Sequence, residues 1–330
     1  MTTPNWYTSD AFKSTNLIAA FDEMPFVPMA MGQSGYFSNI QPINTTAAWI
    51  ERSGKSLALL DVKPRGSEGQ SIEGDKRTGN YFKVPHIPAR SEILADEIQD
   101  VRAWNSETNL QSMSEEINKR NLKARWYFEY ALEYHRLLST QGLMMTHDGS
   151  IVSLYTEFGM TEDTVALALG TGSTKLLTKC AEIIDHVEDG LDGLPYTTID
   201  AQVDSTMLVK LRTHTDFEKA YINWNNAVQL TGNPHTPVSF GGINWYRYKG
   251  TSAVKFAANE GRVIPRLANE SNFVTAIAPA DTNAAANTRG IPFYVMSEIM
   301  KGDKGMELLY QTNQLFVNLK PDACPKLTTN

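Results

Sequence analysis

The sequence predicts an α+β fold of two lobes with an extended amino-terminal arm and a long projecting hairpin. Three observations carry this expectation. Apolar residues recur near the 3.6 period from Ser106 to Gln141, a run too long for an ordinary small-domain helix. Directly after it, Asp148-Gly149 stands between two β-compatible runs. Strand-like and helix-like patterns then alternate from about Thr161 to Asp281. A chain of 330 residues also exceeds the usual size of one compact domain.

Residues 1 to about 35 mix Pro, Ser and Thr with isolated apolar residues (Trp6, Phe12, Leu17, Phe21, Phe26), which reads as an extended arm that needs a neighbour to lie on. Gln41 to Arg52 and Ser56 to Val62 read as strands, and Tyr81 to Ile87 as their return. Between them, residues 63–80 hold Gly66, Gly69, Gly74 and Gly79 among many charges, so the whole forms one long hairpin with a bendable tip. Pro88 to Trp104 reads as a short amphipathic helix, since Pro suits a first turn. The long helix follows, with Leu110, Met113, Ile117, Ala124, Tyr127, Phe128, Ala131, Leu132 and Leu138 as its apolar stripe and Gly142 as its stop. Further on, Val165–Leu169 reads as a strand, Ser173–Asp189 as a helix and Thr197–Val203 as a strand. Ser205–Thr213 and Asp216–Ala227 read as helices, and Val238–Phe240 and Ile243–Tyr248 as strands. Gly290 to Leu319 holds two strand-rich runs around KGDKG that return beside the long helix.

Composition removes several function classes. Hydrophobic residues make up 42% and charged residues 20%, enough apolar mass for a real core. Thirty Lys and Arg against 37 Asp and Glu give a net charge of −7, the wrong sign for a protein whose work is to grip phosphates. Cys180 and Cys324 are far apart and outside any C-x-x-C pair, so neither a disulfide framework nor a zinc site is expected. The opening residues lack a basic start followed by an apolar core, and no run of 18 apolar residues occurs; neither secretion nor membrane insertion is expected.

Four constellations invite a chemical reading. GTGSTK (Gly170–Lys175) lies between a strand and a helix, where backbone amides cradle phosphates, but its spacing fits neither nucleotide fingerprint and a helix-start turn is expected. Ser252-Ala253-Val254-Lys255 satisfies S-x-x-K, the pattern in which a lysine one helical turn along activates a serine; its companion motifs are missing. His214 with Asp216, and Asp185, His186, Glu188 and Asp189, suggest a polar pair and a metal cluster, yet the second lies at spacings that point side chains apart. Glu115, Glu116, Lys119, Arg120, Lys123 and Arg125 sit at spacings that support a helix locally and equally suit contacts with neighbours. The expectation is no catalytic, cofactor-binding or metal-binding residue.

FKVPHIPARSEILADEIQDVRAW (Phe82–Trp104) and GLMMTHDGSIVSLYTEFG (Gly142–Gly159) resemble the lambda-type major capsid protein E family of tailed phages. FGGINWYRYKG (Phe240–Gly250), IAPADTNAAANTRGIPFYV (Ile277–Val295) and QTNQL (Gln311–Leu315) continue the resemblance in the family's order, over most of residues 80–320. One departure is Trp104-Asn105, where relatives tend to carry an aromatic followed by glycine. The resemblance implies the HK97-like capsid fold, divided into an arm (1–40), an extended hairpin loop (41–87), a peripheral domain with the spine helix (88–160), an axial domain (161–283) and return strands of the peripheral domain (284–330). It implies a major capsid subunit assembling into hexamers and pentamers around double-stranded DNA held without sequence specificity. Portal, scaffold and decoration proteins would be the partners, the virion its place and a membrane no part of it. A shell for protein cargo and a hydrolase using Ser252 are the rival readings. Lys55, Lys63 and Lys76 in the hairpin are expected for solubility, with no crosslink implied.

Overall fold

The structure is a computed structural model that describes residues 17–18, 21, 29–53, 77–98, 113–222, 237–268, 271–302 and 304–330. Most of the arm, the hairpin tip with Lys55, Lys63, Lys76, Gly66, Gly69 and Gly74, Trp104, residues 106–112 of the expected long helix, and residues 223–227 lie outside the described residues.

Along the chain, helix α1 (Ala30–Gln33) and strand β1 (Asn39–Pro42) precede a hairpin of β2 (Ala47–Ser53) and β3 (Arg77–Lys83). Strand β4 (Ile87–Leu94) and the single turn α2 (Ala95–Ile98) come before the spine, α3 (Met113–Thr140). The β5–β6 hairpin (Leu143–Met145, Ile151–Ser153), α4 (Leu154–Glu157), β7 (Thr164–Ala166), α5 (Leu176–Leu191) and β8 (Tyr196–Asp204) follow. Then come α6 (Ser205–Arg212), α7 (Thr215–Ile222), β9 (Val238–Phe240), β10 (Ile243–Tyr248), β11 (Glu260–Leu267) and β12 (Phe273–Ile277). Strands β13 (Tyr294–Ile299), β14 (Gly305–Thr312), β15 (Gln314–Asn318) and β16 (Lys326–Thr328) complete the path.

One lobe is built on a mixed sheet of order β7-β16-β11-β8-β10-β9. Helix α5 lies on it because Leu176, Cys180, Ile183, Val187 and Leu191 fall at helical spacing and are all buried against β8 and β11 residues such as Ile199, Ala201 and Val263. The other lobe surrounds the spine. Its 28 residues run about 42 Å at 1.5 Å per residue, with Ile117, Phe128 and Leu132 buried against sheet β13-β14-β4 and Phe316 of sheet β1-β12-β15. Two strands pair away from their neighbours in sequence. Strand β12 pairs with β1 and β15 beside the spine, and β16 inserts between β7 and β11 in the other lobe.

Several expectations change. Residues 87–94 are a strand, not a helix: β4 pairs with β14 from Ile87–Thr312 to Leu94–Gly305, and Ile93 is fully buried. Tertiary pairing overrides the helical pattern, and Pro88 is tolerated because β4 is an edge strand. The run Gln41–Arg52 is broken into β1 and β2 by a turn at residues 43–46. The return segment holds three strands rather than two, and β11, β12 and β16 were not legible. Tyr127, expected on the apolar stripe, is 66% exposed. Of the arm, Leu17, Ile18 and Phe21 are helical, and Leu17 and Phe21 are buried on their own chain's spine core. Phe21 meets Phe293 and Tyr310 at ring separations of 5.4 and 5.8 Å, so this part of the arm is held by its own subunit. The β5–β6 hairpin, β9 and β10 stand as expected, Gly149 taking the positive φ its turn requires.

Candidate assembly surfaces

The chemical constellations resolve into structural contacts. The GTGSTK loop is followed by α5, whose first backbone N–H, that of Leu176, donates to the Asp216 carboxylate at 3.0 Å. The chain's own carboxylate therefore occupies the place where a phosphate would sit. His214 belongs to the same joint: Nδ1 accepts from the Asp216 N–H (3.2 Å), which leaves Nε2 to donate to the Thr171 carbonyl (3.1 Å). Both imidazole nitrogens are spent on fixing the loop. Ser252 and Lys255 are exposed on an irregular segment, so the lysine is not one helical turn from the serine. Asp185, His186, Glu188 and Asp189 do not converge, and no group of three metal-ligating side chains exists among the described residues. His186 instead lies 3.7 Å from Asp163.

What the described residues do present is surface. Strands β2 and β3 pair with each other alone, and strand alternation sorts their side chains onto two faces. Ala48, Ile50 and Phe82 are buried with Met144, Leu315 and Val317, which roots the hairpin in its own subunit. Trp49 and Tyr81, directly opposite in the register, are 47% and 74% exposed on the other face with ring centroids 4.5 Å apart. A second exposed apolar run lies on the spine at Trp126 and Tyr127.

The spine also carries the polar framework of the subunit. The expected local pairs are present: Arg120 reaches Glu116 at 3.1 Å and Glu97 at 2.8 Å, and Lys119 reaches Glu116 at 3.4 Å. Sequence reasoning missed the buried set one turn further on. Glu129, 2% exposed, lies between Arg125 (3.3 Å) and Arg136 (3.4 Å). Glu133, equally buried, accepts the N–H groups of Met31 (2.8 Å) and Gly32 (3.1 Å) and the Tyr248 hydroxyl (3.0 Å). Burial raises its pKa above the ordinary carboxylate value, opposed by those same hydrogen bonds and by Arg136. Glu133 thus ties the segment before β1, the spine and the axial strand β10 at one carboxylate. Arg266 continues the tie by bonding Asp200 (2.6 Å) and the Ser34 carbonyl (2.8 Å), while the Tyr36 hydroxyl donates to Asp200 at 3.0 Å. No signal short of the fold marks these acids as buried, since each occupies an ordinary helical or strand position.

A lobed subunit with a rooted hairpin and a spine helix is an architecture that known structures share. A protein assigned as the capsid protein of an E. coli CFT073 prophage superposes with a TM-score of 0.56 at 11% identity, covering 96% of this chain and 99% of that one. The capsid protein of cyanophage P-SCSP1u superposes at 0.50 with 10% identity, covering 88% and 86%. The fold is the HK97-like capsid fold. The sequence model of phage major capsid protein E matches residues 13–329, and the major capsid protein of Pseudomonas phage KPP10 is 22% identical over 96% of each chain. The chain belongs to the phage major capsid protein E family. Its place is the virion shell, which copies of it build by self-association. No helix among the described residues is long and apolar enough to cross a membrane.

Proposed function

We propose that this chain is the head subunit of a tailed bacteriophage, arranged as hexamers and pentamers of an icosahedral shell around double-stranded DNA that it holds without reading sequence. The observation that carries the reading is the family match across residues 13–329. Portal, scaffold and decoration proteins are its partners, and it has no catalytic, cofactor or metal site of its own. The peripheral part around the spine and the axial part around the six-stranded sheet act as its two domains, with the arm and the β2–β3 hairpin reaching adjacent subunits. Three features support this division of labour. The hairpin is anchored on its inner face and carries the exposed Trp49 and Tyr81 rings on its outer face. The lobes are tied through Glu133 and Arg266. The net charge of −7 suits a container that must not bind its genome tightly.

Small contacts repeated through a closed symmetric lattice make a stable shell from individually weak interfaces. The test is sedimentation of the purified chain, alone and with its phage's scaffold and portal proteins, followed by negative-stain microscopy of the fastest fraction. Shells or tubes with hexameric texture are expected. A species that stays monomeric or dimeric in both cases would overturn the reading.

A further inference from the structure

The spine carries two stripes. One is buried in its own subunit through Ile117, Phe128 and Leu132. The other lines a groove and runs through Lys119, Leu122, Lys123, Trp126, Tyr127 and Tyr130, with Met29 at its side. These six positions follow the i, i+3, i+4, i+7, i+8, i+11 order by which one helix packs against another. The stripe is largely open: Trp126 is 53% and Tyr127 66% exposed. Rings of this size are seldom left in water in such a row unless something covers them. Its length from Lys119 to Tyr130 is about 16 Å, some three turns of a partner helix.

Charge selects among occupants. The charged groups lining the groove are Lys119 and Lys123, one turn apart, and no carboxylate is among its lining residues. The nearby acid Glu116 is shared between Arg120 at 3.1 Å and Lys119 at 3.4 Å, so Lys119 is partly offset and Lys123 carries most of the groove's positive charge. In a chain of net charge −7, an open stripe whose charges are all positive is complementary to an acidic partner and repels a basic one. Tyr130 is pinned by its hydroxyl to Thr251 at 2.7 Å, so one end of the groove is fixed against the axial lobe rather than free to collapse.

The geometry points to this stripe as the docking site of a separate protein's amphipathic helix, one that presents an apolar face to Leu122, Trp126 and Tyr127 and carboxylates to Lys119 and Lys123. Helix-in-groove recognition of this kind needs anchors at i, i+3, i+4 and i+7 and sets orientation by charge. It rests on the capsid reading only for its purpose, which is to let a partner hold the subunit during shell assembly; the binding itself stands apart.

The experiment uses the full unassembled chain and a fluorescent synthetic helix of about four turns, leucine-faced and glutamate-flanked, with a lysine-flanked version as its counterpart. The glutamate peptide is expected to bind, more weakly as salt rises, and the lysine peptide to bind at least tenfold less tightly. Lys119→Glu with Lys123→Glu is expected to reverse that preference, and Trp126→Ala to weaken binding of both. All three residues are on the surface, and an unchanged melting temperature checks that each variant is folded. Equal binding of the two peptides, or a preference that the double reversal leaves unchanged, overturns the inference. Competition by duplex DNA at the same site assigns the groove to nucleic acid and also overturns it. A double reversal that by itself stops the parent chain from self-assembling assigns the groove to a second copy and overturns it as well. Shells without peptide binding sink this inference alone, and peptide binding without shells sinks the capsid reading alone.

Discussion

Trp49 and Tyr81 face each other across the β2–β3 pair with ring centroids 4.5 Å apart, on the side of the hairpin turned away from its own core. A cross-strand aromatic pair of this kind contributes up to about 1 kcal/mol to the hairpin. That is small against the area the two rings leave exposed. Trp49→Ala is therefore expected to lower the stability of the unassembled subunit by about 1 kcal/mol or less and to weaken shells markedly. Chemical unfolding of the subunit and sedimentation of assembled product measure the two effects. Unchanged shells would mean that this face is not an interface.

Glu133→Ala leaves the N–H groups of Met31 and Gly32 and the Tyr248 hydroxyl without their acceptor. Stranding buried donors and removing one acid from a buried ionic set costs on the order of 3 kcal/mol. Urea unfolding checks the magnitude, and hydrogen exchange at residues 31 and 32 checks the place. Protection at those amides that survives the substitution would contradict the tie.

His135 sets a pH dependence. It is buried, and desolvation with the adjacent Arg136 guanidinium pushes its imidazole down to about 4 from an ordinary 6.5. Between those values the unfolded chain binds a proton that the folded chain does not, so stability falls as pH falls through that window. The loss is on the order of 3 kcal/mol over the whole window. Glu133, whose pKa is raised, acts in the opposite sense, binding its proton more readily in the fold. Melting temperatures of the parent and His135→Gln across the window separate the two: the variant should lose the steep acid limb, and parallel curves would refute the assignment.

Asp216→Ala is expected to cost about 1 kcal/mol, the worth of a lost helix cap, and to loosen the GTGSTK loop. Nucleoside triphosphates are expected to give neither parent nor variant any thermal protection. A shift in melting temperature with ATP or GTP would restore the nucleotide reading of that loop.

Gly190 in α5 is packed against the backbone of Asp322 and Ala323, where an added Cβ would come within 2.5 Å of the Asp322 carbonyl. Backbone cannot yield as a side-chain tip does. Gly190→Ala gains about 1 kcal/mol of helix propensity and loses about 1–3 kcal/mol to overpacking, so a net destabilisation is expected on thermal unfolding. A more stable variant would show that residues 321–323 move freely away from the helix.

The parts of this fold that were legible in the sequence are the parts made by near neighbours. Asp148-Gly149 specifies its turn by chemistry two residues wide, and the stripe of α5 repeats within every turn. Residues 87–94 illustrate the opposite case. Their local pattern and Pro88 suit a helix, yet their partners are residues 305–312, more than 200 positions away, and pairing with them decides the outcome. The segment from Met29 to Tyr36 has no period because Glu133, Arg266 and Asp200 hold it from elsewhere in the chain. The exposure of Tyr127 escapes the sequence for a related reason: on a helix with two apolar stripes, periodicity does not say which one faces the core.

Strand β16 lies inside the axial sheet, parallel to β7 and antiparallel to β11, rather than at its edge. While the ribosome is still short of residue 328, β7 and β11 have a vacancy between them and two unpaired flanks, the kind of open edge that recruits strands from other chains. The axial sheet therefore closes only when residues 326–328 are in place, and the sheet beside the spine scarcely sooner, since its β15 runs to Asn318.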